Sequence, residues 1–75
     1  MRELVEFIAK SLVENPDAVQ VAENESKESI IVELRVAPED MGKVIGKQGR
    51  IAKAIRSVVK AATAKNAKPV FVEIL

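Results

Sequence analysis

The chain contains no cysteine, histidine, tyrosine or tryptophan. Without cysteine there is no disulfide and no thiolate metal site, a composition that suits a reducing cytosol. Without histidine the commonest general base and metal ligand is missing, and chemistry would fall to carboxylates, lysine, serine and threonine. Ser11, Ser26, Ser29 and Ser57 therefore have no imidazole to activate them. The reading is against an enzyme, and no metal or cofactor is expected. The two aromatic residues, Phe7 and Phe71, are too few and too far from the glycine-bearing loop at residues 46–49 to build a base-stacking platform. No uninterrupted apolar run reaches about 18 residues, so no membrane span is expected. The start, MRELVEFIAKSLVEN, sets Glu3, Glu6 and Lys10 among its apolar residues and does not read as an export signal. A cytoplasmic location is the expectation.

What is present fits one domain. A chain of 75 residues buries only about 60–65% of its extended surface and cannot supply two cores. Residues 1–75 are read as a single unit, with 48% hydrophobic residues to fill it. The net charge of +1 is a cancellation. Up to Met41 there are 4 Lys or Arg against 10 Asp or Glu; from Gly42 onward there are 8 against the single acid Glu73. An acidic half joined to a basic half points to an anionic partner for the second half.

Apolar spacing at Leu4, Val5, Ile8 and Leu12, flanked by Phe7 and Val13, predicts an amphipathic helix over residues 2–14, closed by Asn15 and Pro16. Alternation in DAVQVAE predicts a strand over 17–23, and NESKES a hairpin connection. IIVELRV, residues 30–36, is the strongest strand: Ile30, Val32, Leu34 and Val36 share its buried face. Pro38, Glu39 and Asp40 open a short helix, where two carboxylates complement the helix dipole. A longer helix over 50–64 carries the stripe Ile51, Ile55, Val58, Val59 and Ala62, with Lys53, Arg56 and Lys60 on its opposite side. VFVEIL, 70–75, is the last strand. The order α-β-β-α-α-β predicts an α+β fold. A right-handed crossover lays the last strand parallel to the second, giving a three-stranded mixed sheet with the second strand central and three helices on one face. Ile31, Phe71 and Leu75 would then face away from the helices, a surface suited to a partner.

Gly46, Lys47, Gln48 and Gly49 lie between the last two helices. Two glycines three apart permit positive φ and close approach to the main chain. The loop opens onto a helix N-terminus that favours an anion, with Lys47 and Arg50 adding charge. A bare G-x-x-G is also what a tight helical turn needs, but this one sits inside the crossover and heads the only strongly basic stretch.

In the run VIGKQGRIAKAIRSVV, Val44 to Val59, the sequence resembles the KH domain, and the element order is that of the bacterial type II KH fold over essentially the whole chain. Its size is similar to that of the small single-KH proteins of the KhpA family. The resemblance implies that Gly46, Lys47, Gln48 and Gly49 clamp the backbone of about four single-stranded RNA nucleotides. It further implies that Val44, Ile45 and Ile51 line an apolar groove for bases. Ala52 stands where many KH domains carry a large aliphatic residue, implying a shallower groove floor. Arg50 adjoins the loop and is the better contact among the helix cations; Lys53 is counted with it, although a charged outer face also serves solvation. Lys65 and Lys68, in the connection before the last strand, are secondary phosphate contacts by the same resemblance.

The function expected from the resemblance is single-stranded RNA binding, in the role of an RNA chaperone or post-transcriptional regulator. The alternative is a KH-fold module for protein assembly. The resemblance also implies a homodimer, or a heterodimer with a KhpB/Jag-type KH protein, without naming the surface.

Overall fold

A computed structural model describes all residues from Met1 to Leu75. The elements are α1 (Arg2–Leu12), β1 (Gln20–Glu25), β2 (Ile30–Arg35), α2 (Met41–Ile45), α3 (Arg50–Ala62) and β3 (Val70–Ile74), with single 3₁₀ turns at Pro16–Ala18, Pro38–Asp40 and Lys47–Gly49. The sheet order is β1-β2-β3, antiparallel between β1 and β2 and parallel between β2 and β3. This is the expected α+β architecture with β2 in the centre.

The boundaries differ from the expectation where local turns compete with extended chain. Pro16 starts a 3₁₀ turn, in which the N–H groups of Ala18 and Val19 donate to the carbonyls of Asn15 and Pro16 at 3.0 and 3.1 Å. The first strand therefore begins at Gln20 rather than Asp17 and runs on to Glu25. The hairpin turn is confined to Ser26–Ser29, closed by the Ser26 N–H to Ser29 carbonyl bond at 2.8 Å. α1 stops at Leu12 and α3 at Ala62, each two residues short of the expectation, and β2 ends at Arg35.

The core is aliphatic throughout. Val5 and Ala9 of α1, Val32 and Leu34 of β2, Val44 of α2, Ile55 and Val59 of α3, and Val72 of β3 pack as one cluster with Val19. Each such side chain contributes about 1.5–3 kcal/mol when fully buried, alanine less. α1 rests on β1 and β2, α3 on β3, and α2 is held chiefly against α3 and α1. The stripe expected for α1 is rotated: Ala9 lies at its centre, while Phe7 is 71% exposed and Leu12 37%. On the uncovered sheet face, register places Ile31 beside Phe71 and Glu33 beside Glu73.

Asp40 ties the layers together from a buried position. Its carboxylate accepts the main-chain N–H groups of Glu14 and Asn15 at 3.2 and 3.0 Å and the Asn15 side-chain amide at 3.3 Å. The residue whose carboxylate was expected to complement a helix dipole instead fastens the end of α1 to the start of α2.

Candidate nucleic-acid interface

The G-x-x-G loop is built from left-handed backbone. Gly46 has φ 75°, Gly49 φ 74° and Gln48, a non-glycine, φ 59°. The loop is held at both ends: the Gly46 N–H donates to the Gly42 carbonyl at 2.8 Å, and the Gly49 N–H to the Gly46 carbonyl at 3.1 Å. Lys47 and Gln48 are exposed at the tip. Arg50 reaches back from the first residue of α3, its guanidinium 3.3 Å from Gln48 Oε1. The N-terminal end of α3, with its partial positive charge, thus opens directly at the loop.

α3 divides into three faces. Ala52, Ile55, Val59 and Thr63 form the buried line. At 3.6 residues per turn, Lys53, Arg56 and Lys60 project about 90° to one side of that line, and Ile51, Ala54 and Val58 about 110° to the other. The helix cations are therefore beside the core rather than opposite it, and they turn toward β3. Val58 is 47% exposed, so the expected stripe joined two faces that the fold separates.

The cationic face meets a cleft of about 530 Å³ between α3 and β3, walled by Arg56, Lys60 and Thr63 on one side and by Val70, Phe71 and Val72 on the other. β3 is an edge strand. Because Leu75 and Pro69 use their main-chain groups toward β2, alternation turns those of Val70 and Val72 into the cleft. The Arg56 Nε–H donates to the Val72 carbonyl at 3.3 Å, which lays the guanidinium along the strand edge with its other N–H groups free.

The expected site residues separate into groups. Lys47, Gln48, Arg50 and Lys53 are exposed on the loop and helix, and Ile45, 36% exposed, lies just before them. Val44 is fully buried in the core, so it shapes a surface only from beneath. Ile51 is half-buried under Gly46, where a β-carbon would meet its Cγ1 at 2.6 Å. Ala52 is buried rather than flooring a groove, which removes the reason to expect a shallower one. Lys65 is exposed beyond the cleft. Lys68 lines the cleft but is engaged: its ammonium lies 2.6 Å from Glu25 Oε2 and 2.8 Å from the Ser26 carbonyl. Of the eight cations after Met41, only Lys43, with Glu14 at 3.5 Å, and Lys68, with Glu25, form ion pairs.

Comparison with known proteins decides the family, since the sequence model described as KhpA/KhpB, KH domain, matches residues 2–74. The chain belongs to the KhpA/KhpB KH domain family. It is 69% identical over 75 residues to the RNA-binding protein KhpA of Clostridium perfringens (strain 13 / Type A), covering 100% of both chains. To the RNA-binding protein KhpA of Caldanaerobacter subterraneus subsp. tengcongensis it is 68% identical, again over 100% of both. Among solved structures, Aquifex aeolicus Era bound to GDP and aluminium fluoride superposes with a TM-score of 0.64 and 26% identity, over 97% of this chain and 28% of that one. Two features of this KhpA/KhpB-family domain escaped the sequence reading: the cleft beside β3 and a second groove, of about 370 Å³, where Ile51, Ala54 and Val58 face Ile8 and Leu12 of α1. The i, i+3, i+7 spacing of each α3 trio carried the signal, but it was merged into one apolar and one polar side.

Proposed function

We propose that this chain binds single-stranded RNA along a track that begins at the G-x-x-G loop, follows α3 and ends in the cleft beside β3. The observation that carries this reading is the row of unpaired cations Lys47, Arg50, Lys53, Arg56 and Lys60, which leads from the loop into a cleft with apolar walls. Phosphates follow the loop and the helix N-terminus, where left-handed backbone lets them approach. Bases turn into the cleft, where Val70 supplies apolar contact, the main chain of Val70 and Val72 supplies polar groups, and Arg56 supplies N–H donors. That use requires unstacked bases, which single strands provide and duplexes do not. The relatives' name, RNA-binding protein, agrees with this chemistry. Gly46, Gly49, Ile45 and Ile51 shape the loop, and Lys65 is an exposed cation outside the cleft, a secondary phosphate contact.

The proposed mechanism is equilibrium binding, in the role of an RNA chaperone or post-transcriptional regulator in the cytoplasm. A few phosphate contacts bind weakly and with steep salt dependence. Linking two such sites raises overall affinity by about 10²–10⁴, and the apolar groove between α1 and α3 offers the surface for a homodimer or for a KhpB-type KH partner.

The test is the double variant Lys47→Asp/Gln48→Asp in fluorescence anisotropy with labelled RNA oligonucleotides at low salt. Loss of binding with unchanged far-UV circular dichroism is expected. Parent-like affinity would overturn the loop assignment and favour a KH-fold assembly module.

A further inference from the structure

We infer that Glu25 sets the far limit of the RNA footprint by neutralising Lys68, an inference that rests on the RNA-binding reading above. Lys68 sits on the wall of the cleft beside β3, in line with Arg56 and Lys60. By position it would extend the cationic track. Instead its ammonium is taken by the hairpin between β1 and β2, through the Glu25 carboxylate at 2.6 Å and the Ser26 carbonyl at 2.8 Å.

The hairpin end is well placed to hold it. The Ser26 N–H donates to the Ser29 carbonyl at 2.8 Å, and the Ser29 N–H returns to Ser26 Oγ at 3.2 Å. The connection carrying Lys68 is fixed in turn, since the Ile30 N–H donates to the Pro69 carbonyl at 2.9 Å. The two charged groups lie 2.6 Å apart, so a phosphate arriving at Lys68 meets both of them. Attraction and repulsion then largely cancel, whatever the strength of the pair itself. The contrast lies within the same element set: Arg56 and Lys60 line the cleft with no carboxylate partner. The acidic first half of the chain thus reaches into the basic half at the cleft's end and closes it to phosphate.

The experiment measures binding of labelled oligouridylates of about four and about eight nucleotides across a salt series, with the full chain and the variants Glu25→Gln, Lys68→Met, Glu25→Gln/Lys68→Met and Glu28→Gln. Each phosphate contact on a single strand contributes about 0.7 to the slope of log K against log salt. Glu25→Gln is expected to steepen the slope by about that amount for the longer strand and to raise the longer-to-shorter affinity ratio several-fold. Glu28→Gln removes another hairpin carboxylate, one without an ion pair, and is expected to leave the slope as in the parent. The double variant, neutral like the paired parent, should keep the parent slope, whereas Lys68→Met leaves the Glu25 carboxylate unopposed and should weaken binding of the longer strand. The charge-swapped pair Glu25→Lys/Lys68→Glu, which restores neutrality with the groups exchanged, should bind as the parent and guards against a folding defect in the single variant.

An unchanged slope in Glu25→Gln, or a flatter one in the double variant, would overturn the inference while leaving the loop reading in place. Failure of the parent to bind either strand would overturn both.

Discussion

Gly46 lies directly over Ile51. A β-carbon at residue 46 would stand 2.6 Å from Ile51 Cγ1 and 2.9 Å from its Cβ, on backbone already at φ 75°. Gly49 has the same sign of φ but nothing within 4 Å of a built β-carbon. The two glycines of one motif are therefore required for different reasons.

That difference gives a stability prediction. Gly49→Ala should cost about 1–2 kcal/mol, the ordinary penalty for left-handed backbone. Gly46→Ala should cost at least about 1 kcal/mol more, because a clash is added. Ile51→Ala in the Gly46→Ala background should recover part of the excess, and a double-mutant cycle in urea unfolding measures it. Equal costs for the two glycine variants would contradict the geometry.

Gln48 occupies a left-handed conformation at φ 59° and ψ 23° without being glycine. Gln48→Gly should remove the steric cost, at the expense of a more flexible unfolded chain. The net expectation is a gain of up to about 1 kcal/mol, read as a raised thermal midpoint.

Asp40 makes stability depend on acid. Burial opposes ionisation of its carboxyl, but the main-chain N–H groups of Glu14 and Asn15, the Asn15 amide and the charge of Lys43 outweigh that and hold its pKa below the usual 3.8. A carboxylate with a depressed folded pKa binds fewer protons when folded than when unfolded. Its contribution is complete above the usual value and is lost as pH falls through the lower folded one. Asp40→Asn should be less stable at neutral pH, with a shallower loss of stability below about pH 4 in acid titration followed by circular dichroism.

Arg56 should separate charge from geometry at the cleft. Arg56→Lys keeps the cation but loses the fixed fork along Val72, so it should weaken RNA binding with little change in salt slope. Arg56→Met should also flatten that slope by about 0.7. Identical effects of the two substitutions would place Arg56 outside the interface.

If the α1 and α3 groove joins two KH domains, Val58→Asp should yield a monomer by light scattering. Phe71→Asp on the open sheet face should leave the oligomeric state of the parent. The reverse result would move the interface to the sheet.

Much of this was legible in the chain. The alternation of Ile30 to Val36 placed the central strand, the crossover fixed the parallel pairing, and Gly46 and Gly49 marked the loop. Periodicity could not show that Phe7 would stay outside while Ala9 went in, because burial on α1 follows from how the helix is rotated on the sheet, and a small residue permits the close approach. Nor could spacing reveal that Lys68 is engaged, since its partner Glu25 lies 43 residues away and only the finished sheet brings the two together. Val44 was misplaced for a related reason: a loop-flanking aliphatic looks the same in sequence whether it floors a groove or fills a core.

The three faces of α3 leave one narrow sector unclaimed, between the cations and the apolar groove, where Ser57 and Ala61 are exposed. Sequence drift among relatives should gather there while the rest of the helix is held. The same sector is a labelling handle. In a chain with no native thiol, Ser57→Cys would accept a single fluorophore or spin label set between the cationic face and the apolar groove.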